Sequence, residues 1–256
     1  MVELAALIFD VDGTLADTER DGHRVAFNRA FAEAGLDWEW DVATYGELLS
    51  ITGGKERMRH YLEQYQPATT LPGDPAEWIA GLHRAKTRHY EALLGEGGIP
   101  LRPGVERLLR EAREAGYRLA IATTTTPANV TALLANAVGP DAVQWFEVIA
   151  AGDVVPAKKP APDIYAYAMA TMGLEPAQCI AFEDSHNGIL ASKGAGLKTI
   201  VTINDYTRDH DFNNAELVLD SFGEPRQPFQ VLSGSPAVLN GAEYLDMALV
   251  KRVHAG

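Results

Sequence analysis

The chain opens on an unbroken apolar run, residues 4–9 (LAALIF), and turns at once to Asp10-Val11-Asp12-Gly13-Thr14. Such a run suits a strand buried on both faces of a parallel sheet. The same pattern returns at residues 117–122, which lead into Thr123-Thr124-Thr125-Thr126, and at 146–150. It returns again at 179–182, ending in Glu183-Asp184, and at 199–203, with a last short strand at 216–219. Helical spacing fills the intervals. Pro103-Gly104 opens a helix with apolar Val105, Leu108, Leu109 and Ala112, closed by Gly116. A second helix spans about 128–137. Pro162 stands where a first-turn proline belongs, before a helix at 164–172 stopped by Gly173, and another helix covers 188–194. Strands alternating with helices predict an α/β fold built on a doubly wound parallel sheet.

From about residue 17 to 95 the pattern changes. Val25, Ala26, Phe27, Ala30, Phe31 and Ala34 keep a helical period up to Gly35, a further helical stretch runs over 76–94, and no buried strand is apparent. The expected organisation is an α/β core from residues 1–16 and 97–256, interrupted by an all-helical domain at 17–96. Beyond Glu224 the sequence is rich in Gly, Pro and Ser and gives no readable element. There are no repeats.

Composition narrows the class. The chain is 46% apolar and 22% charged, as expected of a soluble globular protein, and has no apolar run near the roughly 20 residues that span a bilayer. The first residues lack a basic segment, so no signal peptide is expected. The single cysteine, Cys179, lies in an apolar strand and reads as a core residue; with no disulfide possible, a reducing cytoplasm is expected. The net charge of −13 disfavours nucleic acid and anionic membrane partners. A monomer or weak dimer acting on a small molecule is expected.

In an open parallel sheet, ligands bind beyond the carboxyl ends of the strands. There this chain puts Asp10 and Asp12, Thr123, Lys159 and the pair Glu183-Asp184. Carboxylates are hard oxygen ligands suited to Mg²⁺. A lysine and a hydroxyl suit phosphate oxygens. One aspartate can be a nucleophile, and a second, two residues on, a general acid and base. Taken singly, each has a plainer role: Thr123 as part of a polar turn, Asp184 as a helix N-cap, Lys159 as a loop cation.

The four segments DVDGT, Thr123 after LAIA, Lys159-Pro160-Ala161-Pro162-Asp163, and Glu183-Asp184-Ser185 with Gly188, taken in this order, resemble the haloacid dehalogenase superfamily over nearly the whole chain. The resemblance implies a Mg²⁺-dependent phosphoric monoester hydrolase with a small helical cap. It implies Asp10 as nucleophile and metal ligand, Asp12 as acid/base and backbone metal ligand, and Thr123 and Lys159 as holders of the phosphoryl group. Asp184 would bind the metal with support from Glu183. Lys158 is expected to be a solvated surface charge. Aspartate at position 12, rather than alanine or an aromatic, resembles the phosphatase and phosphomutase branches.

For the substrate, the candidate contacts are Glu19, His23, Arg24, Lys55 and Arg57 from the cap, with Thr124 and Asn187 from the core. Thr52-Gly53-Gly54-Lys55-Glu56-Arg57 either holds a second phosphate or is a helix start with solvated charges. His23 on its own reads as a cap-surface residue. Thr18-Glu19, His23-Arg24 and the 51–57 segment resemble the CbbY group, related to β-phosphoglucomutase, whose implied substrate is xylulose 1,5-bisphosphate. The alternatives are a phosphomutase of the β-phosphoglucomutase type and a non-catalytic phosphate-binding scaffold.

Overall fold

The computed structural model describes residues 2–69, 71, 73–97 and 99–256. The first apolar run forms β1 (Ala6–Phe9), and the later runs form β2 (Arg118–Thr123), β3 (Val148–Ala151), β4 (Cys179–Glu183), β5 (Lys198–Thr202) and β6 (Leu217–Leu219). All six run parallel, in the order β3-β2-β1-β4-β5-β6. β1 is central: Ile8 stands opposite Ala120 on one side and Ala181 on the other. The chain winds outward from β1 in both directions, so β1 and its neighbours flank the point where the strand order reverses, which is where open sheets place ligands.

Alternation along the strands makes two unequal faces. Leu7, Phe9, Leu119, Ile121, Ile180 and Phe182 enter one apolar layer with helices α5 (Val105–Glu114) and α6 (Pro127–Ala137). Ala6, Ile8, Ala120, Ala122, Cys179 and Ala181 face α7 (Asp163–Met172) and α8 (His186–Gly194). The mostly small residues on this second face let Ile164, Tyr165 and Met169 of α7 seat close to the sheet.

Between β1 and β2 lies the helical insertion. A five-residue π-type turn, Glu19–His23, runs into α1 (Arg24–Glu33), and α2 (Val42–Leu48), α3 (Gly54–Tyr65) and α4 (Pro75–Gly95) follow. They close on their own aromatic cluster of Phe27, Phe31, Trp38, Trp40, Tyr45 and Tyr61. Among the described residues of this segment there is no strand. The chain leaves and rejoins the core along one stem, where Ala16 bridges Leu101 and the Arg102 amide donates to the Leu15 carbonyl at 2.8 Å.

The tail beyond Glu224 departs from the reading above. It forms β7 (Val231–Gly234), antiparallel at the sheet edge, then α9 (Pro236–Leu239) and α10 (Met247–Ala255). Met247, Leu249, Val250 and Val253 recur at helical spacing and complete the main apolar layer, capped by Asp246, whose carboxylate accepts from the Leu249 amide. No helix of the described residues is long and apolar enough to cross a membrane.

Candidate active site

Asp10 is the first residue beyond β1, and its amide still donates to the Phe182 carbonyl of β4 at 3.0 Å. That bond aims the side chain into the crevice between β1 and β4. Lys159 reaches the same place from the loop before α7, donating to Asp10 Oδ1 at 2.7 Å and Glu183 Oε1 at 2.6 Å. The Tyr165 hydroxyl also donates to Glu183 Oε1, and the Asn204 amide donates to Asp184 Oδ2 at 2.6 Å. Carboxylate oxygens of Asp10, Glu183 and Asp184 all lie within 4.8 Å of one another.

Burial decides the electrostatics. Asp10, Lys159 and Asp184 are each under a tenth exposed, and Glu183 is fully buried. Burial pushes the Asp10 carboxyl up to about 8, with Lys159 opposing the rise and Glu183 adding to it. Asp184 is driven well above the carboxylate range by burial, then by Asp10 and Glu183. Burial works against the Lys159 charge, but Asp10 and Glu183 outweigh it and hold the ammonium above the ordinary lysine range. Three buried carboxylates thus face one ammonium, and ionising all three leaves two negative charges that only a further cation would balance. Hard oxygen donors with that residual charge fit a small divalent cation.

Packing fixes these groups. Gly188, in the first turn of α8, allows the helix to press against Glu183: a Cβ there would overlap the Glu183 carboxylate. Gly13 adopts φ +85°, and a Cβ there would strike Asp184 and Asn204. The N-cap of α8 is Ser185, whose Oγ accepts from the Gly188 amide at 3.1 Å, so Asp184 is left free of that role.

Asp12 also faces the cavity. Its Oδ1 accepts from the Thr18 hydroxyl at 2.5 Å and from His23 Nε2 at 2.7 Å, and the Lys86 ammonium lies 2.7 Å from His23 Nδ1. With Lys86 donating to Nδ1, the imidazole carries its proton on Nε2 and gives that hydrogen bond to Asp12. Burial penalises the Asp12 charge, but His23, the Thr18 hydroxyl and Lys86 outweigh it and hold the carboxyl down at about 2. His23 is therefore not a cap-surface residue. It is buried, stacked on Tyr90 at 4.2 Å, and backs Asp12 rather than lining the main cavity.

That cavity has a volume of about 460 Å³ and lies between the strand ends and the insertion. Asp10, Asp12, Thr123, Lys159 and Asp184 line it from the core, together with Thr124 and Asn187. Glu19 and Arg57 line it from the insertion. These two are tied through Tyr45, whose hydroxyl donates to Glu19 and accepts from Arg57 Nη1 at 2.9 Å. Asn187 spans the gap by donating to Thr52 Oγ1 at 2.9 Å.

Two other cap candidates fall outside the lining. Arg24 turns to the Trp40 carbonyl, 3.2 Å away. Lys55, expected as a phosphate contact, instead pairs with Asp153 on the loop after β3. Its place in the first turn of α3 points it at that core carboxylate, which competes for its charge. Lys158 is not a solvated charge either: it pairs with Asp153 at 3.0 Å and Glu56 at 3.4 Å and is only 15% exposed. Four charges therefore clasp α3 to the core.

Lys86, Tyr165, Asn204 and Arg102 were not foreseen, and Thr18, noted only for the resemblance it carries, was given no role at the site. Lys86 is buried among Phe27 and Tyr90, and burial brings its ammonium down to about 8. Its one sequence signal is position: with Ile79, Leu82 and Tyr90 it falls on the buried stripe of α4.

The haloacid dehalogenase-like hydrolase model matches residues 4–196. The plasmid-encoded CbbY protein of Cupriavidus necator is 46% identical over 255 residues, covering 99% of this chain and 98% of its own. The crystal structure of CbbY from Rhodobacter sphaeroides in complex with phosphate superposes with a TM-score of 0.79 at 51% identity, covering 88% of this chain and 96% of its own. A mutant of that protein has been solved with xylulose-(1,5)bisphosphate. The fructose-1-phosphate phosphatase YqaB of Escherichia coli is 30% identical over 77% of this chain and 95% of its own. The chain belongs to the haloacid dehalogenase-like hydrolases, among the CbbY proteins, and is a phosphatase.

Proposed function

We propose that the chain hydrolyses a sugar bisphosphate of the xylulose 1,5-bisphosphate kind, through an aspartyl phosphate on Asp10 and with Mg²⁺ as cofactor. The observation that carries this reading is the pairing of Asp10, held against the Lys159 ammonium, with Asp12, two residues on at the same cavity. In the first step an Asp10 carboxylate oxygen attacks phosphorus and the bond to the sugar oxygen breaks. Asp12, ionised in the resting site, takes up a solvent proton as substrate binds and, as the carboxylic acid, gives it to the leaving alkoxide. In the second step water attacks the aspartyl phosphate, Asp12 takes the water proton, and orthophosphate leaves with Asp10 restored. Lys159 and Thr123 hold the phosphoryl oxygens through both steps.

Asp10, Asp184 and the Asp12 carbonyl would hold the Mg²⁺, with Glu183 orienting Lys159 from behind. When bound, the ion neutralises negative charge on the transferring phosphoryl group. The ionised state of Asp12 suits the base required in the second step. Arg57, a buried cation in the lining, suits a second phosphate, and Glu19 and Asn187 suit sugar hydroxyls. The bisphosphate complex of the Rhodobacter sphaeroides CbbY mutant supports the same substrate class. Phosphate release measured across sugar mono- and bisphosphates should favour a ketose bisphosphate and stop on addition of EDTA. Asp10→Asn should reduce release to background. Release persisting in that variant rejects the nucleophile, and isomerised sugar phosphate without net release identifies a mutase.

A further inference from the structure

Arg102 lies outside all four sequence segments, yet its guanidinium is buried beside the cluster that faces the cavity. It sits on the stem by which the insertion rejoins the core, just before α5. Nη1 donates to the Gly13 carbonyl and to Thr202, with Oγ1 at 3.2 Å and the carbonyl at 3.4 Å. Nη2 donates to the Ile203 carbonyl at 2.5 Å and to the Asp220 carbonyl at 2.8 Å. Nε faces Asp17 Oδ1 at 3.3 Å. Both Nη groups are thereby engaged as donors, and Nε is left to the ion pair with Asp17.

The choice of partners is informative. Two residues crowd Asp184: Gly13, whose Cα leaves no space for a Cβ against the carboxylate, and Asn204, which donates to its Oδ2. Arg102 grips the carbonyl of Gly13 and that of Ile203, the residue preceding Asn204. One rigid fork therefore holds both walls of the slot in which the Asp184 carboxylate stands. It also brings a fixed positive charge towards Asp184 without occupying its free oxygen. A cation buried mainly among carbonyls is costly, and its one ion pair among the described residues is with the exposed Asp17, so scaffolding alone is a poor reason for it.

We infer that Arg102 is a positioning residue that sets the orientation of Asp184 for divalent-cation binding, an inference that rests on the metal site proposed above. Lysine keeps the charge but not the planar fork of two Nη groups, so it cannot hold both walls at once.

The test is calorimetric titration of MgCl₂ into the full-length protein, wild type against Arg102→Lys and Asn204→Ala, with thermal unfolding of each in EDTA. Loss of an outer contact to a metal ligand costs about 10-fold to 100-fold in affinity. Arg102→Lys should therefore raise the Mg²⁺ dissociation constant at least about tenfold. Asn204→Ala should shift it the same way, and the substrate KM at saturating Mg²⁺ should stay within about twofold if the effect runs through the metal ligand. A folded Arg102→Lys protein that binds Mg²⁺ like wild type overturns the inference, even if it melts earlier. Should that variant not fold, unchanged affinity in Asn204→Ala overturns it instead. Wild-type protein that binds no Mg²⁺ would sink the metal reading and this inference together.

Discussion

The clasp between α3 and the core gives a prediction that can be worked through. Asp153 accepts from Lys55 and lies 3.0 Å from Lys158, which also reaches Glu56 at 3.4 Å. Lys55 and Glu56 belong to the insertion; Asp153 and Lys158 belong to the core. The hydrogen bonds from Lys55 and Lys158 hold the Asp153 carboxyl down at about 2. Taken at face value, that shift is worth about 2.5 kcal/mol. The Asp153 side chain is 61% exposed, however, so solvent and salt screen most of this energy. Two exposed pairs at a few tenths of a kcal/mol to 1 kcal/mol each leave about 1 kcal/mol favouring the docked position of α3 on the core. Asp153→Asn should therefore shift the balance between docked and undocked α3 about fivefold, read as a fivefold loss in kcat/KM at low salt. Because the Debye length falls from about 10 Å at 0.1 M to about 3 Å at 1 M, the ratio of wild type to variant should approach one at 1 M NaCl. Since the depressed pKa lies below the assay range, the difference should be flat from pH 6 to 8 and fade only as pH falls through 4 towards 2. Equal kcat/KM at low salt, or a fivefold gap that survives 1 M NaCl, would refute the clasp.

Three further outcomes follow from the same geometry. In EDTA the raised Asp10 pKa means that the folded protein keeps a proton the unfolded chain releases above about 4, so Tm should fall as pH rises from 4 through 8. Asp10→Asn should lessen that slope and leave the part that Asp184 adds, and a pH-independent melting curve for metal-free wild type would count against the buried acid cluster. Lys86→Met should remove a cation that holds Asp12 ionised and so raise its pKa, moving upward the limb of the kcat/KM pH profile that Asp12 sets; an unmoved limb would mean that the His23–Lys86 pair does not reach Asp12. Leu249→Ala in the fully buried face of α10 should cost about 2–5 kcal/mol in urea unfolding, and a loss under 1 kcal/mol would show that the tail is not part of the core.

Much of this was legible in the sequence because buried parallel strands write themselves as apolar runs. β1 and β4 came out within two residues of their observed bounds, and their ends brought Asp10, Glu183 and Asp184 together as expected. The residues that escaped notice are those whose role depends on burial rather than type. Lys86 stands among His83, Arg84 and Arg88 in what looks like a solvated helix face, and Tyr165 reads as a core aromatic until its hydroxyl is placed on Glu183. Arg102 precedes Pro103-Gly104 and looks like a loop cation. His23 and Lys55 changed places with expectation for the same reason: the π-type turn carries His23 inward, and Asp153 draws Lys55 outward. In the tail, the period of Met247, Leu249, Val250 and Val253 was present, but the Gly, Pro and Ser residues before it obscured the helix.

The stem at Ala16 and Leu101 has a consequence for how such proteins diversify. The helical excursion leaves and rejoins the core beside this one bridge, and its aromatic cluster is distinct from the apolar layers of the sheet, although Ala26, Tyr90 and Leu94 pack into the main one. The outer helices α2 and α3 can therefore be lengthened, reshuffled or traded without disturbing strand pairing or the acid cluster. Selectivity for the departing alcohol can then drift over evolutionary time while the machinery for breaking the phosphorus–oxygen bond stays as it was.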